Sequence, residues 1–134
     1  MSDKKLHLKI TTHEKVVFDE DVEEIYSKGT EGSFGVLPGH IPFMSALDIG
    51  ITKVVKDGKA QNYTTMGGIF QLQGNEALIL TNASERAEEI DVERAMDAKK
   101  RAKERLEEES DTTDVQRAEV ALSRALARLK ATGK

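Results

Sequence analysis

From Leu6 to Ile10 the chain alternates apolar and polar side chains, with Leu6, Leu8 and Ile10 on one parity and His7 and Lys9 on the other. A two-residue period of this kind predicts a half-buried β-strand. Short β-branched or aromatic groups recur at Val16-Val17-Phe18, Val22, Ile25, Ile49-Gly50-Ile51, Val54-Val55, Ile69-Phe70 with Leu72, and Leu78-Ile79-Leu80, and these read as further short strands. Turn chemistry separates them. Asp57-Gly58 and Gly74-Asn75 are hairpin signals, and the stretch from Gly39 to Pro42 is a loop that cannot continue a central strand. Regularly punctuated, alternating strands predict an antiparallel β-sandwich over residues 1–84.

The pattern changes near Ala83. Nine of the ten glycines and both prolines precede residue 75, whereas Glu85 to Thr132 contains neither residue type. Apolar positions now follow a three-four alternation: Ala95, Ala98, Ala102 and Leu106, then Val115, Ala118, Leu122, Ala125 and Leu129. This predicts helices over about 91–106 and 114–131, joined as an antiparallel hairpin within residues 85–134. Asp91 is a candidate cap for the first helix, and Thr113 with Gln116 a candidate capping box for the second. The predicted fold class is therefore α+β, a sandwich followed by a two-helix hairpin. An alanine seam buries little area, so the hairpin should be marginal and able to separate at modest cost.

Charge adds a second pattern to the helices. All seven arginines lie in the last fifty residues, and six repeat one spacing twice: Arg94, Arg101, Arg105 and Arg117, Arg124, Arg128. Steps of seven and then four return to nearly the same helix face, so each triple forms a guanidinium stripe. Two such stripes suit a polyanion because arginine donates bidentate hydrogen bonds to phosphate and keeps its charge. A solvated helix face has the same sequence signature.

Composition narrows the function classes. A net charge of −4 argues against a general nucleic-acid binder. The absence of cysteine excludes disulfides, thiolate catalysis and Cys-ligated zinc, and His7, His13 and His40 are too far apart in sequence to predict a histidine metal cluster. The apolar runs are a few residues long, which predicts neither a signal peptide nor a membrane span. Gly32, Gly35 and Gly39 lack the Gly-Lys-Ser/Thr of a phosphate loop and read as a turn-rich loop, and no serine sits in a Gly-x-Ser-x-Gly elbow. No acid/base pair stands out, so no catalytic residue is predicted.

The run Gly32-Ser33-Phe34-Gly35-Val36-Leu37-Pro38-Gly39-His40-Ile41-Pro42, then Gly67-Gly68 before an apolar strand, then the arginine-rich hairpin, resembles the epsilon subunits of bacterial F-type ATP synthases. The resemblance covers nearly the whole chain. It implies a non-catalytic rotor component whose sandwich binds the gamma subunit and the ring of c subunits, and whose mobile hairpin restrains ATP hydrolysis. In the extended state the hairpin would meet acidic residues of a catalytic beta subunit. The implied location is the cytoplasmic face of a bacterial membrane, peripheral to it. The family usually carries an acidic residue where Ser33 stands here, which leaves Glu31, with His40, as the implied ring contacts. An epsilon-type assembly adaptor without a nucleotide site is the alternative reading.

Ile90-Asp91-Val92-Glu93-Arg94-Ala95 is similar to the Ile/Leu-Asp-x-x-Arg-Ala motif of the Bacillus-like members that bind ATP as a regulatory ligand. Matched by position, the resemblance places Glu85, Ile90 and Asp91 at the base and ribose end, with Arg94 and Ala95 in the motif. Arg101, Arg124 and Arg128 would face the phosphates. Arg105 and Arg117 are left to the beta-subunit contact or to solvent. The motif does not say whether magnesium accompanies the nucleotide. Asp91 can be a helix cap, and Arg94 its surface partner, in addition to these roles.

Overall fold

The computed structural model describes residues 5–108 and 114–133. Its strands are β1 (Leu6–Thr11), β2 (Val16–Val22), β3 (Glu24–Gly29), β4 (Gly32–Val36), β5 (Phe43–Lys56), β6 (Lys59–Gln73) and β7 (Glu76–Thr81), followed by the helices α1 (Val92–Glu107) and α2 (Val115–Thr132). The strands form one hydrogen-bonded sheet in the order β2-β1-β7-β6-β5-β3-β4. That sheet closes over itself as a sandwich. Phe34 of β4 packs edge-on against Phe70 of β6, with ring centroids 5.0 Å apart, and Phe18 of β2 meets Tyr63 of β6 at 5.5 Å. Each pair is three places apart in the strand order, roughly 14 Å in a flat sheet at about 4.8 Å per strand.

The core follows the alternation. Leu6, Leu8, Ile10, Val22, Ile25, Val54, Phe70 and Ile79 are all buried between the layers. The predicted turns form as two-residue hairpins: Asp57 and Gly58 both take positive φ between Lys56 and Lys59, and Gly74 does so between Gln73 and Glu76. β5 and β6 contribute to both layers, and their ladder keeps one register throughout but is interrupted between the pairs Leu47/Gly68 and Ile49/Met66. At that break Gly68 has φ +123°, and a Cβ there would lie 1.9 Å from the Leu80 carbonyl oxygen, so no side chain fits.

Two features differ from the sequence expectation. β1 and β7 pair in parallel, so the sheet is antiparallel except at that one junction. These strands come from the two ends of the sandwich and no hairpin joins them, so no turn dictates their direction. Residues 32–36, expected as part of a turn-rich loop, form β4. Its Gly35 is a packing device, since a Cβ would sit 2.7 Å from the Tyr26 ring that lies across it.

Both helices start on an aspartate. Asp91 Oδ1 accepts the Arg94 backbone N–H at 3.0 Å, and Asp114 Oδ1 accepts that of Arg117 at 3.0 Å. The second cap is thus Asp114 in place of the expected Thr113, which lies outside the described residues. Gly133, in the left-handed region, ends α2. Ala95 and Ala102 of α1 and Ala118, Ala125 and Leu129 of α2 are buried, Ala98, Leu106 and Leu122 are half-buried, and Val115 is 53 % exposed. Val115 therefore stands outside the seam expected of it, because it occupies the first turn of α2, just after the cap. Ala127 and Ala131 form a second buried face of α2, which lies toward β5 and β6, where Asn62 Nδ2 donates to the Ala131 carbonyl at 3.3 Å.

One charged cluster staples the edge strand β2. His7 Nδ1 lies 2.7 Å from Asp21 Oδ1, and its Nε2 lies 2.5 Å from Asp19 Oδ1. Two carboxylate partners engage both ring nitrogens only as donors, which favours the imidazolium. The hydrogen bonds to Asp21 and then Asp19 hold the His7 pKa above its ordinary value of 6.5. Because the folded-state pKa is raised, the stability it contributes is fully present below pH 6.5 and is lost as pH rises through the folded-state value. An NMR titration is expected to show His7 titrating above 6.5, and the Asp19→Asn, Asp21→Asn chain should bring it back toward that value.

Candidate functional site

The hinge between sandwich and hairpin is built by extending the sheet past β7. Met66 N–H donates to the Ala83 carbonyl at 3.1 Å and Thr64 N–H to that of Glu85 at 2.9 Å, while Glu85 N–H donates to Thr64 Oγ1 at 3.0 Å. This fixes the Glu85 backbone against β6. A 3-10 turn over Ala87–Glu89 then redirects the chain, Ile90 is buried, and Asp91 starts α1.

The Glu85 side chain reaches across to α2. Arg128 Nε donates to Glu85 Oε1 at 2.6 Å, with both side chains about one-third exposed. This contact joins the residues just before α1 to the last turns of α2, as an antiparallel hairpin requires. The structure thus gathers Glu85, Ile90, Asp91 and Arg128 at one end of the hairpin, with exposed Arg94 one turn into α1 and Ala95 buried in the seam. Arg101 is exposed farther along α1. Arg124 lines a different depression, of about 600 Å³, together with Arg105, Asp114, Arg117, Val120 and Ala121. The cap Asp114 was not among the residues singled out in the sequence, although it was readable there: Asp91-Val92-Glu93-Arg94-Ala95 returns 23 residues later as Asp114-Val115-Gln116-Arg117-Ala118.

On the sandwich, Glu31 is exposed in the turn between β3 and β4, and His40 lies in the loop between β4 and β5. That loop is tied down. The His40 N–H donates to the Leu37 carbonyl at 3.1 Å, its Nδ1 donates to the Ile41 carbonyl at 2.7 Å, and Gly39 N–H donates to Asn75 Oδ1 at 3.0 Å. Around it, Leu37, Ile41 and Met44 are 53, 75 and 64 % exposed. A second apolar row crosses three strands, where Ala46 pairs with Ile69 and Ile69 with Leu80, all exposed. Among the described residues no group of three or more His, Asp or Glu side chains is placed to hold a metal, and no helix is long and apolar enough to cross a membrane.

Both halves match known families. Residues 5–87 match the ATP synthase Delta/Epsilon chain beta-sandwich domain, and residues 88–133 match the long alpha-helix domain of the same chain. The chain belongs to the ATP synthase delta/epsilon chain family. Similar curated relatives are the ATP synthase epsilon chains of Nitratidesulfovibrio vulgaris strain DP4, 44 % identical over 98 % of both chains, and of Pelotomaculum thermopropionicum, 48 % identical over 99 % of both. That of Bacillus velezensis is 42 % identical over 97 % of this chain and 98 % of its own. A chain in the structure of the Euglena gracilis mitochondrial ATP synthase, OSCP/F1/c-ring, superposes with a TM-score of 0.85 at 26 % identity, covering all of this chain and 84 % of that one. These curated relatives are ATP synthase epsilon chains, and the present chain is an epsilon chain in its family and fold.

Among the described residues, the Glu85–Arg128 contact is one of few polar ties holding the epsilon hairpin against its sandwich. A partly exposed pair of this kind contributes up to about 1 kcal/mol. Glu85→Gln should therefore raise amide hydrogen exchange along α2 by up to about fivefold while leaving β5 and β6 protected, which hydrogen exchange read by mass spectrometry can resolve.

Proposed function

We propose that this epsilon chain is a non-catalytic rotor subunit that links gamma to the c ring on the cytoplasmic side of a bacterial membrane. In this reading its hairpin restrains ATP hydrolysis and is held down by ATP. The observation that carries the ATP reading is the Glu85–Arg128 contact, which brings α2 against the hinge at the end of the hairpin where Ile90, Asp91 and Arg94 lie. Motif residues from the hinge and α1 are thereby gathered beside an α2 arginine only while the hairpin is folded. A nucleotide contacting both helices selects that state, since a ligand shifts an equilibrium by its difference in affinity for the two states.

The roles divide along the molecule. Ile90 and Asp91, with Glu85, form the base and ribose end, Arg94 and Ala95 belong to the motif, and Arg101, Arg124 and Arg128 supply charge for the phosphates. Guanidinium groups bind phosphate through paired N–H donors and do no chemistry on it. The sequence carries no Gly-Lys-Ser/Thr phosphate loop of the kind that supports nucleotide hydrolysis. The Ala46, Ile69, Leu80 row suits gamma, because an apolar row exposed across three paired strands calls for a protein partner. The Glu31 turn and the His40 loop would then meet the polar loops of the c ring, and in the extended state the arginines released from the hairpin would pair with acidic residues of beta.

Calorimetric titration of the isolated chain with ATP, ADP and GTP tests the switch. Selective ATP binding that disappears in the Arg124→Ala, Arg128→Ala chain is expected, and no binding at millimolar ATP would leave the assembly-adaptor alternative. For the ring contact, Glu31→Ala with His40→Ala should reduce proton-coupled ATP synthesis in the assembled enzyme, and unchanged coupling would count against it.

A further inference from the structure

The two helices carry one sequence pattern twice. Asp91, Arg94, Ala95, Arg101, Ala102, Arg105 and Leu106 reappear, each 23 residues on, as Asp114, Arg117, Ala118, Arg124, Ala125, Arg128 and Leu129. In an antiparallel pair, two copies of one helical pattern are related by an approximate two-fold axis across the seam. The start of α1 therefore faces the end of α2, and the start of α2 faces the end of α1. The buried alanines obey this relation, Ala95 and Ala102 on one helix answering Ala118 and Ala125 on the other. The hairpin thus has two quasi-equivalent ends: a hinge end with Asp91, Arg94 and Arg128, and a connector end with Asp114, Arg117 and Arg105.

The described helix residues on either side of the connector lie together. Arg105 of α1 and Arg117 and Arg124 of α2 line the depression of about 600 Å³, with Val120 and Ala121 as apolar lining. Among the described residues Asp114 is the only carboxylate lining it, and its Oδ1 is engaged by the Arg117 backbone N–H. Among the described residues, Arg128 at the hinge end pairs with Glu85, whereas Arg105, Arg117 and Arg124 form no ion pair.

We propose that the connector end is a second oxyanion site, taking a compact polyphosphate such as pyrophosphate between Arg105, Arg117 and Arg124. Guanidinium groups from both helices can each give a planar pair of donors to phosphate oxygens, which three separate lysines could not match. The site takes phosphate without a base. The buried Ile90 of the hinge end has polar Thr113 as its counterpart in sequence, and the sandwich residues that extend the hinge have no counterpart at the connector. A ligand here bridges α1 and α2 and favours the folded hairpin through Arg105 and Arg117, which the nucleotide reading does not use, with Arg124 shared between the two ends. The phosphate class rests in part on the nucleotide reading of the hinge end; the cavity and its charge do not.

Calorimetric titration of pyrophosphate into the full chain carrying Arg94→Ala, Arg101→Ala and Arg128→Ala reads the connector end, since Arg124 is then the one remaining arginine assigned to the nucleotide phosphates and it also lines the connector depression. A single site is expected that weakens by about tenfold or more when Arg105→Ala and Arg117→Ala are added, and by no more than about twofold when the exposed neighbour Lys103 is changed to Ala instead. Far-UV circular dichroism checks that the helices persist. If the alanine variants unfold them, Arg105→Lys with Arg117→Lys keeps the charge, removes the paired donors and should still weaken binding. No pyrophosphate site on the parent variant, binding indifferent to Arg105 and Arg117, or equal loss with Lys103→Ala would overturn the proposal. Separate ATP titrations of the Arg105→Ala, Arg117→Ala chain, which lacks the connector end, distinguish the two readings. Absent ATP binding there with the pyrophosphate site intact on the parent variant sinks the nucleotide switch alone, and ATP binding there with no pyrophosphate site on the parent variant sinks the second site alone.

Discussion

The hairpin is held by small side chains. Ala95 and Ala102 meet a face of α2 built from Ala118, Ala125 and Leu129, and the other face of α2 rests on the sheet through Ala127 and Ala131. Methyl groups let backbones approach closely, but each contributes only about 0.8 kcal/mol on burial, against about 1.5–3 kcal/mol for a Leu, Ile or Phe side chain. The sandwich is built of the larger kind, with Leu6, Leu8, Ile10, Ile25, Phe70 and Ile79 at zero exposure. One chain therefore contains two stability regimes, a rigid platform and a docked element whose release leaves the platform's core untouched. Among the described residues the polar ties between them are few and peripheral: Glu85 with Arg128, and Asn62 with the Ala131 carbonyl.

Weak apolar docking gives charge its leverage. In a leucine-packed bundle a bound anion would add little to an interface already secure, whereas across an alanine seam one well-held ligand is comparable to the seam itself. The arginines sit where this matters, exposed along the seam margins and drawn from both helices. Their exposure also keeps them hydrated in the absence of ligand, so the folded hairpin does not carry the cost of burying unpaired guanidinium groups. Arg128 is the partial exception, and its half-buried position beside Glu85 gives it a partner in the same molecule.

Much of this was legible in the sequence, for physical reasons that differ by region. The sandwich strands show because one face is buried and one wet, which writes a two-residue period into Leu6, Leu8 and Ile10. The helices show because a three-four apolar alternation runs from Ala95 to Leu129 through a stretch, Asn75 to Thr132, that holds neither glycine nor proline. What stayed hidden was decided by contacts distant in sequence. β4 looks like a loop because its glycine serves the Tyr26 ring on a neighbouring strand, and the parallel pairing of β1 with β7 joins segments about seventy residues apart with no turn to announce it. The Asp114 cap was hidden differently. Thr113 beside it offered an equally plausible capping box, and only comparison with the first helix start, Asp91-Val92-Glu93-Arg94, singles out the aspartate. Of the site, the hinge-end grouping of Glu85 with Arg128 needed the folded hairpin to appear, and the grouping of Arg105 with Arg117 and Arg124 across two helices could not be read from either stripe alone.

The repeated helix pattern places a limit on how such a switch can be thrown. A ligand present at a hundred times its dissociation constant stabilises the state that binds it by about 2.7 kcal/mol, and it does so only to the extent that the other state fails to bind. Each arginine stripe survives intact on its own helix when the hairpin opens, so an anion held by one stripe alone would bind both states and shift nothing. Discrimination must come from the groups that only folding assembles. At the hinge end these are Arg128 beside Glu85 and the α1 start; at the connector end they are Arg105 beside Arg117. Selectivity for the folded state is therefore a property of the antiparallel register, which the alanine seam fixes by allowing the close approach, and a bulkier seam that stabilised the hairpin outright would also make the ligand irrelevant to its position.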